Sequence, residues 1–213
     1  MEFFVKKVLE QVDNRAKVVA ATKYFNTDEM RELHSHGINH FGENRVESFL
    51  EKIETLTDLD VTWHIIGTLQ TKKAKKIINK IDYLHSLDTI KLATEIEKRR
   101  ETPLKCFIQV NISDEESKHG LEINDVIPFI KEIMDFKNIV LVGFMGMAAY
   151  TNDEKIISNS FQKLIDLKKS VYNELQLDLK ELSIGMSNDY MIALDHQSTF
   201  LRLGSVLYRK EVS

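Results

Sequence analysis

The stretch Lys17-Val18-Val19-Ala20-Ala21-Thr22-Lys23-Tyr24-Phe25-Asn26-Thr27-Asp28-Glu29-Met30 holds the plan of the whole chain. An apolar run of strand length, residues 17–22, gives way to a polar break and then to an amphipathic segment. Thr27 stands where a helix N-cap belongs, and Asp28 and Glu29 suit the positive end of a helix dipole. The unit recurs. Strand-like runs at residues 38–41, 62–66, 83–86, 104–111, 139–144, 181–184 and 200–203 alternate with segments of helical spacing. Val46, Phe49, Leu50, Ile53 and Leu56 repeat at steps of three and four, as do Val126, Phe129, Ile130, Ile133 and Met134. Ile157, Phe161, Leu164, Ile165 and Leu175 follow the same rule, and Thr71 and Asp88 supply further N-cap signals. Ahead of the first strand, Phe4, Val5, Val8, Leu9 and Val12 line one face of an additional N-terminal helix.

Alternation of this kind predicts an α/β protein, a single (β/α)8 TIM-type barrel over residues 1–213 with an extra N-terminal helix. A doubly wound open sheet alternates in the same way, so periodicity does not decide between them. No linker, low-complexity segment or short repeat divides the chain.

Composition excludes several classes of function. The 29 basic and 33 acidic side chains are well mixed and leave a net charge of -4, which offers nucleic acid no clustered basic face. The run Lys72, Lys73, Lys75 and Lys76 reads as a solvated helix face. The single cysteine, Cys106, makes no intramolecular disulfide and no cysteine-based zinc site, and its apolar surroundings predict a buried, inert thiol. The N-terminus lacks the apolar core of a signal peptide, and residues 139–150, the longest apolar stretch, are too few to span a bilayer. The expectation is a soluble, cytoplasmic protein without metal or membrane partner.

In either architecture the functional face lies beyond the carboxyl ends of the strands. Lys23 stands at such an end, directly after an apolar run. A lysine partly inside the barrel mouth would lose charge by desolvation and supply the neutral amine that Schiff-base chemistry needs. The alternatives are a lysine that snorkels to solvent or pairs with Glu43. Gly185-Met186-Ser187-Asn188-Asp189 is a strand-to-helix turn with a hydroxyl and free N–H groups, suited to phosphate. Residues 198–205 offer a second such turn and add Arg202 near a strand end. A sugar phosphate would satisfy both turns equally, so the residues alone reach a phosphorylated ligand beside a lysine.

Ordered segments carry a resemblance. They are Ala20-Ala21-Thr22-Lys23, Phe41-Gly42-Glu43-Asn44-Arg45-Val46, Trp63-His64-Ile65-Ile66-Gly67-Thr68-Leu69-Gln70, Gln109-Val110-Asn111-Ile112-Ser113 through Lys118-His119-Gly120, Gly143-Phe144-Met145-Gly146-Met147, Leu182-Ser183-Ile184-Gly185-Met186-Ser187-Asn188-Asp189, and Ser198-Thr199 to Gly204. The chain resembles the pyridoxal phosphate homeostasis protein family, also described as alanine racemase N-terminal-like. The resemblance implies that Lys23 binds pyridoxal 5'-phosphate as a Schiff base. It implies that Ser187, with backbone at Gly204 and Ser205, holds the phosphate. Arg202 would hydrogen-bond the pyridine nitrogen, and Asn44 would lie near the ring, while His64 is read as structural. A donor-only arginine keeps the ring nitrogen unprotonated and weakens the ring as an electron sink.

By the same resemblance, an alanine racemase takes its second base from a separate C-terminal domain, whereas this chain ends at Ser213. The implied role is a monomeric carrier or regulator of cofactor supply with no catalytic residue, its partners being the cofactor and apo-enzymes that use it. The alternative is a small racemase or lyase using Lys23 as base. The chain departs from the family pattern at Gln197, where glycine is usual, at Lys72, where asparagine is usual, and after Lys23, where a proline is often found. Tyr208-Arg209-Lys210 replaces a Phe-Gly ending. Of these, Gln197 bears on the geometry of the phosphate loop.

Overall fold

The computed structural model describes residues 2–113 and 119–209. Lys118 and Lys210, named in the segments above, lie outside them. The chain runs β1 (Glu2–Phe3), α1 (Val5–Val12), β2 (Lys17–Ala21), α2 (Thr27–Ser35), β3 (His40–Glu43), α3 (Val46–Thr55), β4 (Thr62–Ile65) and α4 (Thr71–Ala74). It continues through β5 (Tyr83–Leu87), α5 (Ile90–Arg99), β6 (Leu104–Gln109), α6 (Val126–Ile133), β7 (Ile139–Met145), α7 (Glu154–Leu175), β8 (Glu181–Ser183), α8 (Tyr190–Asp195), β9 (Phe200–Leu203) and β10 (Tyr208–Arg209). Strands β2 to β9 form a closed parallel barrel, each paired with the next and β9 with β2. All eight expected strand positions are occupied, and closure decides for the barrel over the open sheet.

Two apolar layers hold it together. One lies between sheet and helices, where Val46 and Phe49 of α3, Phe129 and Ile130 of α6, and Phe161 and Leu164 of α7 are buried on the spacing read above. The other fills the barrel: Val19, Phe107, Met145 and Phe200 pack together with Tyr83 and Met147 against them. Burial of this kind stabilises by about 1.5–3 kcal/mol per large side chain. Gly143 lets β7 lie close to β8, since a Cβ there would sit 1.8 Å from the Glu181 carbonyl oxygen.

The expected N-terminal helix is present and takes a definite place. After β9 the described residues form a 3-10 turn at Ser205–Leu207 and then β10, and the barrel's eighth helix slot is taken by α1. Val5, Val8 and Val12 are buried there, the Tyr190 hydroxyl of α8 donates to Gln11 Oε1 at 2.7 Å, and Leu9 reaches Gly37 beyond α2. β1 then pairs antiparallel with β10.

The caps differ from expectation by one residue. Asn26, not Thr27, caps α2: its Oδ1 accepts from Glu29 N–H at 2.9 Å, and its N–H donates to Glu29 Oε2 at 2.8 Å. Thr89, not Asp88, caps α5, and Gln70 precedes α4 without a side-chain cap. β3 runs to Glu43 rather than stopping at Phe41. Lys72, Lys75 and Lys76 are exposed, and Lys73 pairs with Glu47 at 2.8 Å, so that cluster is a solvated face. Among the described residues no helix is long and apolar enough to cross a membrane, and no cluster of histidine, cysteine or carboxylates could hold a metal ion.

Candidate functional site

A cavity of about 400 Å³ opens at the carboxyl end of the barrel, between the loops that follow β7, β8 and β9. Ala21, Met147 to Thr151, Met186 to Asp189, Arg202, Gly204 and Ser205 line it. A larger groove of about 640 Å³ between α6 and α7 is lined by Ile127, Pro128, Lys131, Asp166 and Glu174. It lies on the outer helical layer, away from the strand ends, and is not the candidate site.

The loop after β8 is shaped by its own side chains. Gly185 takes φ +92, a left-handed conformation that glycine adopts freely, and a Cβ there would meet Ala193 at 2.5 Å. Asp189 Oδ1 accepts from Met186 N–H at 2.6 Å, while Asp189 N–H donates to Met186 O at 3.1 Å, which locks the turn. Burial raises the Asp189 carboxyl from its ordinary value, opposed by that N–H and by Arg202. The turn presents Ser187 to the next loop. Ser187 Oγ accepts from the N–H of Gly204 at 3.1 Å and of Val206 at 3.3 Å. Both N–H groups are thus spent on Ser187 Oγ, whose own proton is left to donate to a phosphate oxygen; a phosphate oxygen that replaced Oγ as their acceptor would find all three as donors.

Arg202 forms the floor. Nη1 donates to the Ser183 carbonyl at 2.5 Å and to Ser183 Oγ at 2.6 Å, and Nη2 donates to the Gly146 carbonyl at 3.0 Å. Burial brings its pKa down to about 10, with Asp189 pulling it back up, so the guanidinium remains charged at neutral pH. Its other N–H groups take no protein acceptor among the described residues, which suits a ring nitrogen acting as acceptor.

Four of the sequence-derived residues, Ser187, Arg202, Gly204 and Ser205, thus share one cavity. Lys23 and Asn44 stand at the same end of the barrel but outside the lining. The chain leaves β2 at Ala21 and enters a 3-10 turn, Thr22–Tyr24, which rotates Lys23 outward. Lys23 is exposed rather than partly buried, with Nζ 4.7 Å from the Tyr24 ring centroid. Its expected alternative partner is also taken. Glu43, 1% exposed, accepts from Lys52 Nζ at 2.6 Å and from the Thr22 hydroxyl at 2.5 Å. Lys52 Nζ donates in addition to the Thr22 carbonyl at 2.7 Å, which ties down the residue before Lys23. Asn44 is exposed, and its backbone packs against Gly67, where a Cβ would lie 2.6 Å from the Asn44 carbonyl oxygen.

His64 is buried and stacked on Tyr83, with ring centroids 4.6 Å apart. Gln197 adopts φ +61, the left-handed conformation that glycine favours, so the departure from the family pattern is absorbed as local strain. Sequence reasoning missed the Glu43–Lys52–Thr22 cluster, the Asp189 lock and Ser183 beneath Arg202. The signal for the first was a carboxylate placed inside an apolar strand.

Comparison with known proteins identifies the family. The family model for the alanine racemase N-terminal domain matches residues 5–211. The chain is 35% identical over 199 residues to the pyridoxal phosphate homeostasis protein of Aquifex aeolicus, covering 92% of this chain and 87% of that one. It is 37% identical to the protein of the same name from Schizosaccharomyces pombe, covering 96% and 89%. PipY of Synechococcus elongatus, solved with PLP bound, superposes with TM-score 0.89 at 27% identity, covering 96% of this chain and 98% of that one. Alanine racemase of Clostridium difficile shares the fold at TM-score 0.78 and 14% identity, this chain covering 57% of its length. A match that runs through the barrel and both loops around Ser187 and Arg202 places this chain in the alanine racemase N-terminal domain family.

Proposed function

We propose that the chain binds pyridoxal 5'-phosphate in the cavity at the barrel mouth and serves in homeostasis of that cofactor, as a carrier or regulator of its supply. The carrying observation is that Ser187, Gly204, Ser205 and the Arg202 guanidinium line one cavity, with Ser187 Oγ tied to the Gly204 N–H. Those groups would hold the phosphate at one end and the ring at the other, with Ser205 at the phosphate end and Asn44 at the rim. Lys23 lies two residues beyond Ala21, which lines the cavity, and its flexible stem allows Nζ to leave Tyr24 and reach the mouth. There Lys23 would hold the cofactor through its aldehyde group, as a Schiff base formed with loss of water.

When bound, the cofactor supplies an electron sink whose strength depends on a protonated ring nitrogen. Arg202 can donate to that nitrogen and cannot give it a proton at neutral pH, which supports a holding role over a catalytic one. The reading extends to a monomeric, cytoplasmic protein that passes cofactor to apo-enzymes; the buried, unpaired Cys106 is consistent with a reducing compartment. Borohydride reduction of the loaded protein followed by mass spectrometry tests the site. A pyridoxyl adduct on Lys23, lost in Lys23→Ala, is expected; its absence from the wild-type protein refutes the assignment. Lysine-dependent turnover of amino acids at enzyme-like rates would instead favour a small racemase or lyase.

A further inference from the structure

Arg202 is held from beneath by more than Ser183. Ser183 Oγ, which accepts from Nη1, also lies 2.8 Å from His85 Nδ1. His85 Nε2 lies 2.9 Å from His64 Nδ1, and His64 Nε2 lies 2.9 Å from His40 Nδ1. These side chains come from β8, β5, β4 and β3 and form an unbroken file down the inside of the barrel. Ser183, His85 and His64 are fully buried. His40 is half-buried and lines a recess at the opposite end, beside Lys17, Asn39 and Glu181.

Arg202 gives the file a direction. Arginine only donates, so Ser183 Oγ is an acceptor towards it and must place its own proton elsewhere. The acceptor within reach is His85 Nδ1, and a buried hydroxyl left without one is penalised. His85 then carries its proton on Nε2 and donates to His64, and His64 does the same towards His40. Every histidine becomes a neutral Nε2–H tautomer. The surroundings agree. Burial is the first cause that lowers all three histidines from their ordinary value. Lys17 of β2 and Lys105 of β6 reinforce it at His40 and His64, and Arg202 of β9 at His85, while Asp82, just before β5, opposes it at His40. Glu181 of β8 faces the same recess as His40.

We propose that His85, with His64 and His40 behind it, is a positioning residue for Arg202: a file of neutral imidazoles, ordered in one direction, keeps Ser183 an acceptor and so aims the guanidinium at the cofactor ring. The identity of that ring rests on the proposed function; the order of the tautomers does not.

Two measurements separate these levels. In the unliganded protein, long-range ¹H–¹⁵N spectra of labelled histidine should show His85, His64 and His40 as Nε2–H tautomers at pH 7. In Ser183→Ala, where no hydroxyl feeds Nδ1, His85 should lose that single state. A charged or Nδ1–H His85 or His64 in the wild type overturns the proposal. In the loaded protein, His85→Leu should shift the cofactor's absorption maximum and weaken binding about tenfold, the loss expected when one charge-assisted contact is misdirected. His85→Asn, whose Oδ1 can accept from Ser183, should restore both. Ser183→Ala repeats the test should His85→Leu fail to fold, as judged by circular dichroism. Wild-type spectra and affinity in every variant overturn the proposal. A wild-type protein that takes up no cofactor overturns the proposed function instead and leaves the file to be judged by its tautomers.

Discussion

Lys52→Met would remove the ammonium from a carboxylate enclosed by protein. The Glu43 side chain is 1% exposed and that of Lys52 10%, with Nζ and Oε1 2.6 Å apart. Methionine keeps most of the lysine stem, so the loss is electrostatic and not a cavity term. Breaking a buried pair from one side costs about 3–5 kcal/mol. Glu43 keeps the Thr22 hydroxyl as a donor, which favours the lower end, about 3 kcal/mol. With a urea slope of about 3 kcal/mol/M for a chain of this size, the midpoint should fall by about 1 M. Glu43→Gln with Lys52→Met removes both charges, and the double variant should lose less than the two single losses summed, by about 1 kcal/mol or more. Thr22, held by both partners, precedes Lys23, so Lys52→Met should also slow formation of the cofactor adduct. The exposed pair Arg31–Asp58 is the control, and Arg31→Ala should leave the urea midpoint nearly unchanged. A midpoint shift below about 0.3 M for Lys52→Met, or strict additivity in the cycle, would refute the reasoning.

Gln197→Gly should raise stability by about 1 kcal/mol by relieving the left-handed backbone, or about 2–4 °C in Tm; an equal gain from Gln197→Ala would show that strain is not the cause. Burial pushes the Cys106 thiol up, so thiol reagents should modify it only as the protein unfolds, and rapid labelling in native buffer would contradict that. Burial also holds His64 and His85 well below 6.5, while the unfolded chain titrates near 6.5. A depressed folded value means stability is complete above pH 6.5 and is lost as pH falls below it. The slope from the two is about 2.7 kcal/mol per pH unit. Urea midpoints at pH 7.5 and 5.5 measure this, and His85→Asn should remove about half the slope; a profile unchanged by that variant would count against it.

The eight strands were legible because apolar runs and helical repeats differ in period, and each repeat closed on a polar break. Boundaries were less so. β3 extends to Glu43 because Lys52, on the following helix, neutralises a carboxylate inside the barrel wall, and pairing across space leaves no mark at position 43 alone. Ser187, Arg202 and the turn at Gly204 were readable since strand ends fix where such groups gather. The outward turn of Lys23 was not, because one 3-10 turn reverses a side chain without changing composition. The histidine file was equally hidden. A histidine in a strand reads the same whether it packs or relays, and only closure of the sheet sets His40, His64 and His85 in line.

The placement of α1 bears on how the molecule is made. Because α1 fills the slot after β9, and β1 pairs with β10, residues made before the barrel strands complete their contacts only with residues made after them. Such long-range closure is slow and leaves the apolar face of Val5, Val8 and Val12 incompletely covered until the segment after β9 is made. Ser187, Arg202 and Gly204 belong to the same late segment. A nascent chain therefore cannot assemble the cofactor cavity, and capture of cofactor is reserved for the finished barrel.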